Sequence, residues 1–141
     1  MATDVLLVCP RGPWGSRREH LALGYLAAGL RRAGVAVEVL DGHLSGLGVR
    51  PLVDQVAEAG PRVVGISATQ PTASAMVSIA QGVRPRLPSV HITAGGHFPT
   101  FCHDRLLRDV PALDSVVRGE GDVVFIELVQ RLLAGEEWHS L

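Results

Sequence analysis

Residues 63–72 read VVGISATQPT and residues 90–100 read VHITAGGHFPT. In each, a short apolar run rich in β-branched residues breaks off at Gly, Ser or Thr. Such runs are too short for helices and lack polar alternation, which suits strands buried on both faces of a parallel sheet. The same signature appears at residues 5–8 (VLLV), 35–40 (VAVEVL) and 115–117 (SVV). Strands are therefore expected at 5–8, 35–40, 63–66, 90–93 and 115–117.

Helical periodicity fills the intervals. Leu23, Leu26, Ala27 and Leu30 fall at i, i+3, i+4 and i+7. Ala73, Met76, Val77 and Ala80 repeat that spacing, as do Phe125, Leu128, Val129 and Leu132, and each set makes one apolar face. Shorter helices are expected at 52–57 and 100–108. Gly34, Gly60 with Pro61, Pro85 and Gly135 stand where these helices should stop. Strand and helix thus alternate five times, which predicts an α/β domain with a doubly wound five-stranded parallel sheet. The expected order is the flavodoxin-like, Rossmann-like 2-1-3-4-5. Residues 1–141 read as a single domain, with 136–141 as the start of a connection or a frayed end.

Composition narrows the function. The chain has 141 residues, 47% hydrophobic and only 4% aromatic, so its core is aliphatic. A formal net charge of -1 supplies no field for nucleic acid or an anionic membrane. All 13 basic residues are Arg. Without lysine, Schiff-base, P-loop and kinase-type chemistry are excluded. Cys9 and Cys102 match no zinc or redox spacing, so reduced thiols and a cytoplasmic location are expected. No basic leader, A-x-A cleavage site or membrane-length apolar run is seen.

Ligands of such sheets bind at the carboxyl ends of the strands, near the point where strand order reverses. Four loops should gather there. Arg11, Gly12, Trp14 and Gly15 follow the first strand; Ser67, Thr69, Gln70 and Thr72 follow the third. Gly95, Gly96, His97, Phe98 and Thr100 follow the fourth, and Gly119, Glu120 and Gly121 the fifth. Glycine lets a ligand approach backbone closely, while small hydroxyls bond a buried polar group at little steric cost. Taken singly these residues read as turns. Their convergence on one edge is what suggests a long cofactor.

Four stretches carry a family resemblance: PRGPWGSRREHLALGYLAA (10–28), VVGISATQP (63–71), HITAGGHFPT (91–100) and DSVVRGEGD (114–122). Together they resemble the cobalamin (vitamin B12)-binding domain of B12-dependent radical SAM methyltransferases. The resemblance implies that cobalamin, as methylcobalamin or hydroxocobalamin, is held for methyl transfer. Its nucleotide tail would descend beside Ser67, Thr69, Gly95 and Gly96, with the Trp14 loop below or beside the corrin. S-adenosylmethionine and an iron–sulfur cluster would belong to a partner radical SAM domain. This chain lacks three closely spaced cysteines for such a cluster. It reads as part of a longer enzyme, or a carrier beside one, and is not expected to catalyse methylation alone.

Other B12 proteins ligate cobalt through the histidine of D-x-H-x-x-G, and Asp41-Gly42-His43-Leu44-Ser45-Gly46 has that form. There the motif follows the first strand; here it follows the second, displaced by about 4.8 Å in the sheet. That position favours a rim or loop residue over a ligand, and the metal-ligating residue stays open. His97 could approach the cofactor or simply cap a helix. His20 is expected in the first turn of the first helix, kept neutral by dipole and solvent. His91, His103 and His139 read as structural. Glu120 would contact the tail or cap the last helix.

Three alternatives compete. The small B12 subunit of a carbon-skeleton mutase would use His43 on cobalt. A receiver-like interaction module needs an acidic cluster after strand one and a lysine after strand five, and has neither here. A dinucleotide-binding domain needs G-x-G-x-x-G, for which Gly12 and Gly15 give the wrong spacing.

Overall fold

The computed structural model describes residues 2–13 and 20–141. Five strands form one parallel sheet: β1 (Val5–Cys9), β2 (Val37–Asp41), β3 (Val63–Ser67), β4 (His91–Gly95) and β5 (Ser115–Val116). Their order is β2-β1-β3-β4-β5, as expected, so the chain reverses its direction of winding between β1 and β3. The helices are α1 (Leu21–Arg32), α2 (Gly42–Ser45), α3 (Val49–Ala59), α4 (Ala73–Val83), α5 (His97–Asp109) and α6 (Val124–Ala134). A single 3-10 turn, Gln70–Thr72, leads into α4.

Boundaries moved where caps claim residues. β2 begins at Val37, not 35, because Gly34 turns with φ 81° and Val35 N–H bonds Leu30 O at 3.0 Å to close α1. The unexpected α2 exists because Asp41 caps it, accepting the amides of His43 and Leu44. β4 runs on through Gly95, since Ser67 of β3 pairs with it.

Alternation along the strands sorts side chains onto two faces. Leu6, Val8, Val64, Ile66, Ile92 and Ala94 form one core with α3, α4 and α5. Val5, Leu7 and Val63 form the other with α1 and α6, including Leu23, Leu30, Phe125, Leu128 and Val129. By the same parity Gly65, Ser67, Thr93 and Gly95 face α1 and α6. Burying each fully covered Leu or Ile contributes about 1.5–3 kcal/mol before entropy is counted. α1 and α6 touch at Gly29, where a Cβ would lie 2.6 Å from Ile126 Cδ1. At the amino edge, Trp138 folds back edge-on to His91 with ring centroids 4.8 Å apart. Among the described residues no helix is long and apolar enough to cross a membrane.

Candidate functional site

Asp41 organises the carboxyl edge around β1 and β2. Its Oδ2 accepts the amide of His20 at 2.9 Å, and its Oδ1 accepts those of His43 at 2.9 Å and Leu44 at 3.1 Å. His20 is the N-cap of α1: its Nδ1 accepts the Leu23 amide at 3.3 Å. The neutral ring therefore carries its proton on Nε2, which donates to Ser67 Oγ at 3.2 Å. Burial holds this histidine below its ordinary range, with Asp41 pulling the other way. Neutrality was expected from dipole and solvent; it comes from a half-buried capping position instead. A residue just ahead of the first periodic leucine was the available signal, obscured because histidine is not a usual cap.

His43 is placed differently from a metal ligand. Its Nδ1 accepts the Gly12 amide at 3.2 Å, which leaves the ring proton on Nε2. Ligation by imidazole needs an unprotonated nitrogen aimed at the metal, usually with the other nitrogen donating to a carboxylate. Asp41 gives its carboxylate to backbone amides. Among the described residues no group of three or more His, Cys, Asp or Glu is arranged to hold a bare metal ion.

The second half of the edge lies behind β3, β4 and β5. Ser67 pairs with Gly95 in register. Gly96 has φ 104°, and a Cβ there would stand 2.7 Å from Ala68 O, so only glycine fits. Among the described residues, a Cβ at Gly95 would meet only Val117 O, at 3.8 Å, so the missing side chain leaves space beside them. Thr72 Oγ1 accepts the Thr69 amide at 2.9 Å and closes the β3 loop. Thr100 Oγ1 donates to Gly96 O at 2.7 Å and accepts the Gly119 amide at 2.9 Å, tying the β4 and β5 loops together. Phe98 packs into the α3–α5 core, whereas Gln70, His97 and Glu120 are exposed. The N-cap position of α6 belongs to Val123, without a side-chain bond, so Glu120 does not cap it. Trp14 and Gly15 lie outside the described residues.

The expected residues divide between the faces. Arg11 and Gly12 line a cleft of about 310 Å³ against Leu52, Pro71 and Ile79 on the α3–α4 side. Ser67, Gly95 and Gly121 border the α1–α6 side, where Gly121 packs on Val117 and Phe125. That face holds two features the sequence did not single out. Gly65 leaves room on which the Phe125 ring rests, its Cζ 3.2 Å from where a Cβ would be. Beside it in register, Thr93 is 2% exposed and its Oγ1 has no hydrogen-bond partner among the described residues. A buried hydroxyl without a partner costs about 1–3 kcal/mol. Around the rim, Leu21, Leu44, Phe101 and Val123 stand exposed at helix beginnings. Cys9 is buried, and burial with the nearby Asp41 pushes its thiol up to about 12.

The sequence matches the B12 binding domain over residues 14–129. It is 32% identical over 123 residues to the uncharacterized methyltransferase PH0819 of Pyrococcus horikoshii, covering 87% of this chain and 27% of that protein. It is 32% identical over 136 residues to the anaerobic magnesium-protoporphyrin IX monomethyl ester cyclase of Synechocystis sp., covering 91% and 27%. The cobalamin-dependent S-adenosylmethionine radical enzyme OxsB, solved with aqua-cobalamin bound, superposes with a TM-score of 0.84 at 19% identity. That match covers 96% of this chain and 19% of the other, and the likeness is one of fold. The chain spans about a quarter of the length of these curated relatives.

Proposed function

The chain belongs to the B12 binding domain family, and from that premise we propose that it holds cobalamin at the carboxyl edge of its sheet. The longer protein it would serve is a radical SAM methyltransferase. The observation that carries the reading is the paired end of β3 and β4. There Ser67 faces Gly95 across the ladder, Gly96 is fixed by a steric requirement, and Gly95 keeps the space above it open.

The residues fit the group. A flat macrocycle with a descending tail needs a glycine mouth, small hydroxyls and apolar surroundings, and the rim supplies all three. Ser67, Thr69, Gly95 and Gly96 would line the tail's entry, with Gly119, Glu120 and Gly121 along its far side. Arg11 and Gly12, with Trp14 and Gly15 after them, would border the corrin, and Leu44, Phe101 and Val123 give it apolar surface. Cobalamin, when bound, supplies a cobalt centre able to carry a methyl group. His20 holds Ser67, Thr100 locks the β4 and β5 loops, and Asp41 fixes the β2 turn. These residues shape a seat. None is placed to move a proton or attack a substrate, so S-adenosylmethionine, an iron–sulfur cluster and the methyl acceptor belong to a partner domain.

The mutase reading loses support because His43 engages Gly12 through the nitrogen that a ligand of that type must leave protonated. The test is direct: mix the protein with hydroxocobalamin, desalt, and record the visible spectrum. Colour that travels with the protein supports the proposal, and a colourless protein refutes it.

A further inference from the structure

A larger hollow lies at the opposite end of the strands from the rim. Where β3 and β4 begin, a cleft of about 470 Å³ straddles the edge of the sheet. Leu87 and Val90 line it from the α4 side, and Leu132 and Leu133 from the end of α6. Hollows of about 300–1,000 Å³ are of a size to hold small molecules.

Both walls are built by arginines. Arg84 staples the loop after α4: its Nη1 donates to Pro88 O at 3.0 Å and to Val90 O at 2.8 Å. Its Nη2 donates to Ala112 O at 2.9 Å and pairs with Asp114. Across the cleft, Arg62 Nη2 donates to Leu133 O at 3.1 Å, in the last turn of α6. A ligand entering between walls already fixed loses little affinity to ordering them.

The charges on these walls do not balance. Arg84 is paired with Asp114 and Arg86 with Asp54. Among the described residues Arg62 has no carboxylate partner, and no Asp or Glu lines the cleft. His91 also lines it, but burial holds that ring below its ordinary range, so at neutral pH it adds no charge. A guanidinium with donors to spare, set beside leucine side chains, suits an anion with an apolar body. The carboxyl ends of α4 and α6 lie at the same edge, and their partial negative charge opposes a dianion such as phosphate.

We propose that this cleft binds a small aliphatic monocarboxylate, its head on the Arg62 guanidinium and its chain against Leu87, Leu132 and Leu133. The site is independent of the cobalamin reading and stands if that reading falls.

The test is an amide-resolved NMR titration of the isotope-labelled full chain with octanoate. Saturable shifts are expected at Arg62, Ser89, His91 and Leu133, with Ser67, Gly95 and Gly96 at the rim left in place. Acetate has the head without the chain, and octanol the chain without the head. Each, like inorganic phosphate, should bind roughly tenfold more weakly or worse. Arg62→Gln keeps a donor for Leu133 O yet should weaken octanoate roughly tenfold, the worth of a hydrogen bond to a charged group. The site is overturned by the absence of saturable shifts, by shifts centred on the rim, or by octanol or phosphate binding as tightly as octanoate. A folded Arg62→Gln with unchanged octanoate affinity overturns it too. Should that variant fail to fold, the comparison of ligands on the wild-type chain decides.

Discussion

The ring of His43 accepts the amide of Gly12 at 3.2 Å and so joins the loop behind β1 to the short helix behind β2. Gly42 makes that approach possible: a Cβ there would stand 2.7 Å from both Arg11 N and Cys9 O. A string that elsewhere presents histidine to cobalt here stitches two loops of the rim.

His43→Ala should therefore leave the visible spectrum of bound cobalamin unchanged, while lowering unfolding stability by about 1 kcal/mol through the lost bond. Urea titration and absorbance on the same samples check both halves. A shifted cobalt spectrum would return His43 to the metal.

The two adjacent glycines of β4 should part company. Gly96→Ala forces a side chain onto φ 104° and toward Ala68 O at 2.7 Å, costing about 1–3 kcal/mol in urea unfolding. Gly95→Ala adds a methyl in ordinary contact only. Its stability should match wild type, yet cobalamin retention after desalting should drop.

Acid should weaken the fold through half-buried imidazoles. Burial holds both His20 and His91 below the ordinary value of 6.5. As pH falls below that value the unfolded chain takes up protons that the folded chain refuses, so stability present at neutral pH is progressively lost. Urea midpoints measured between about pH 7.5 and 5.5 should decline. His20→Asn retains a capping side chain and should shallow the decline. An unaltered slope would show that His20 is not the group responsible.

The thiols should differ in reactivity. Cys9, 3% exposed and with its pKa raised to about 12, offers almost no thiolate at neutral pH. Cys102 is only partly buried. A thiol reagent on the native protein should label Cys102 first, and Cys9 only after denaturant, as peptide mass spectrometry would reveal.

The strand order was legible because both faces of this sheet are covered, which turns the inner strands β1 and β3 into short apolar runs with a hard stop. The glycine stops at 34, 60 and 135 were legible too, each adopting positive φ. β2 was misjudged by two residues because Val35 is apolar yet serves the cap of α1. His20 was hidden by its type, since histidine seldom caps. Thr93 was hidden for another reason: whether a hydroxyl finds a partner depends on what folds over it. Phe125 read as one apolar position on a helix, and only its seat on Gly65 makes it distinctive.

Trp138 lies against His91 at the amino end of β4, while the proposed cofactor edge is at the other end. Five residues of strand put about 17 Å between them. Indole emission overlaps the near-ultraviolet band of a corrin, so at that range the bound cofactor should drain the indole's excited state. Dimming of Trp138 in a Trp14→Phe background would report loading from the far side of the molecule, without a probe attached at the rim.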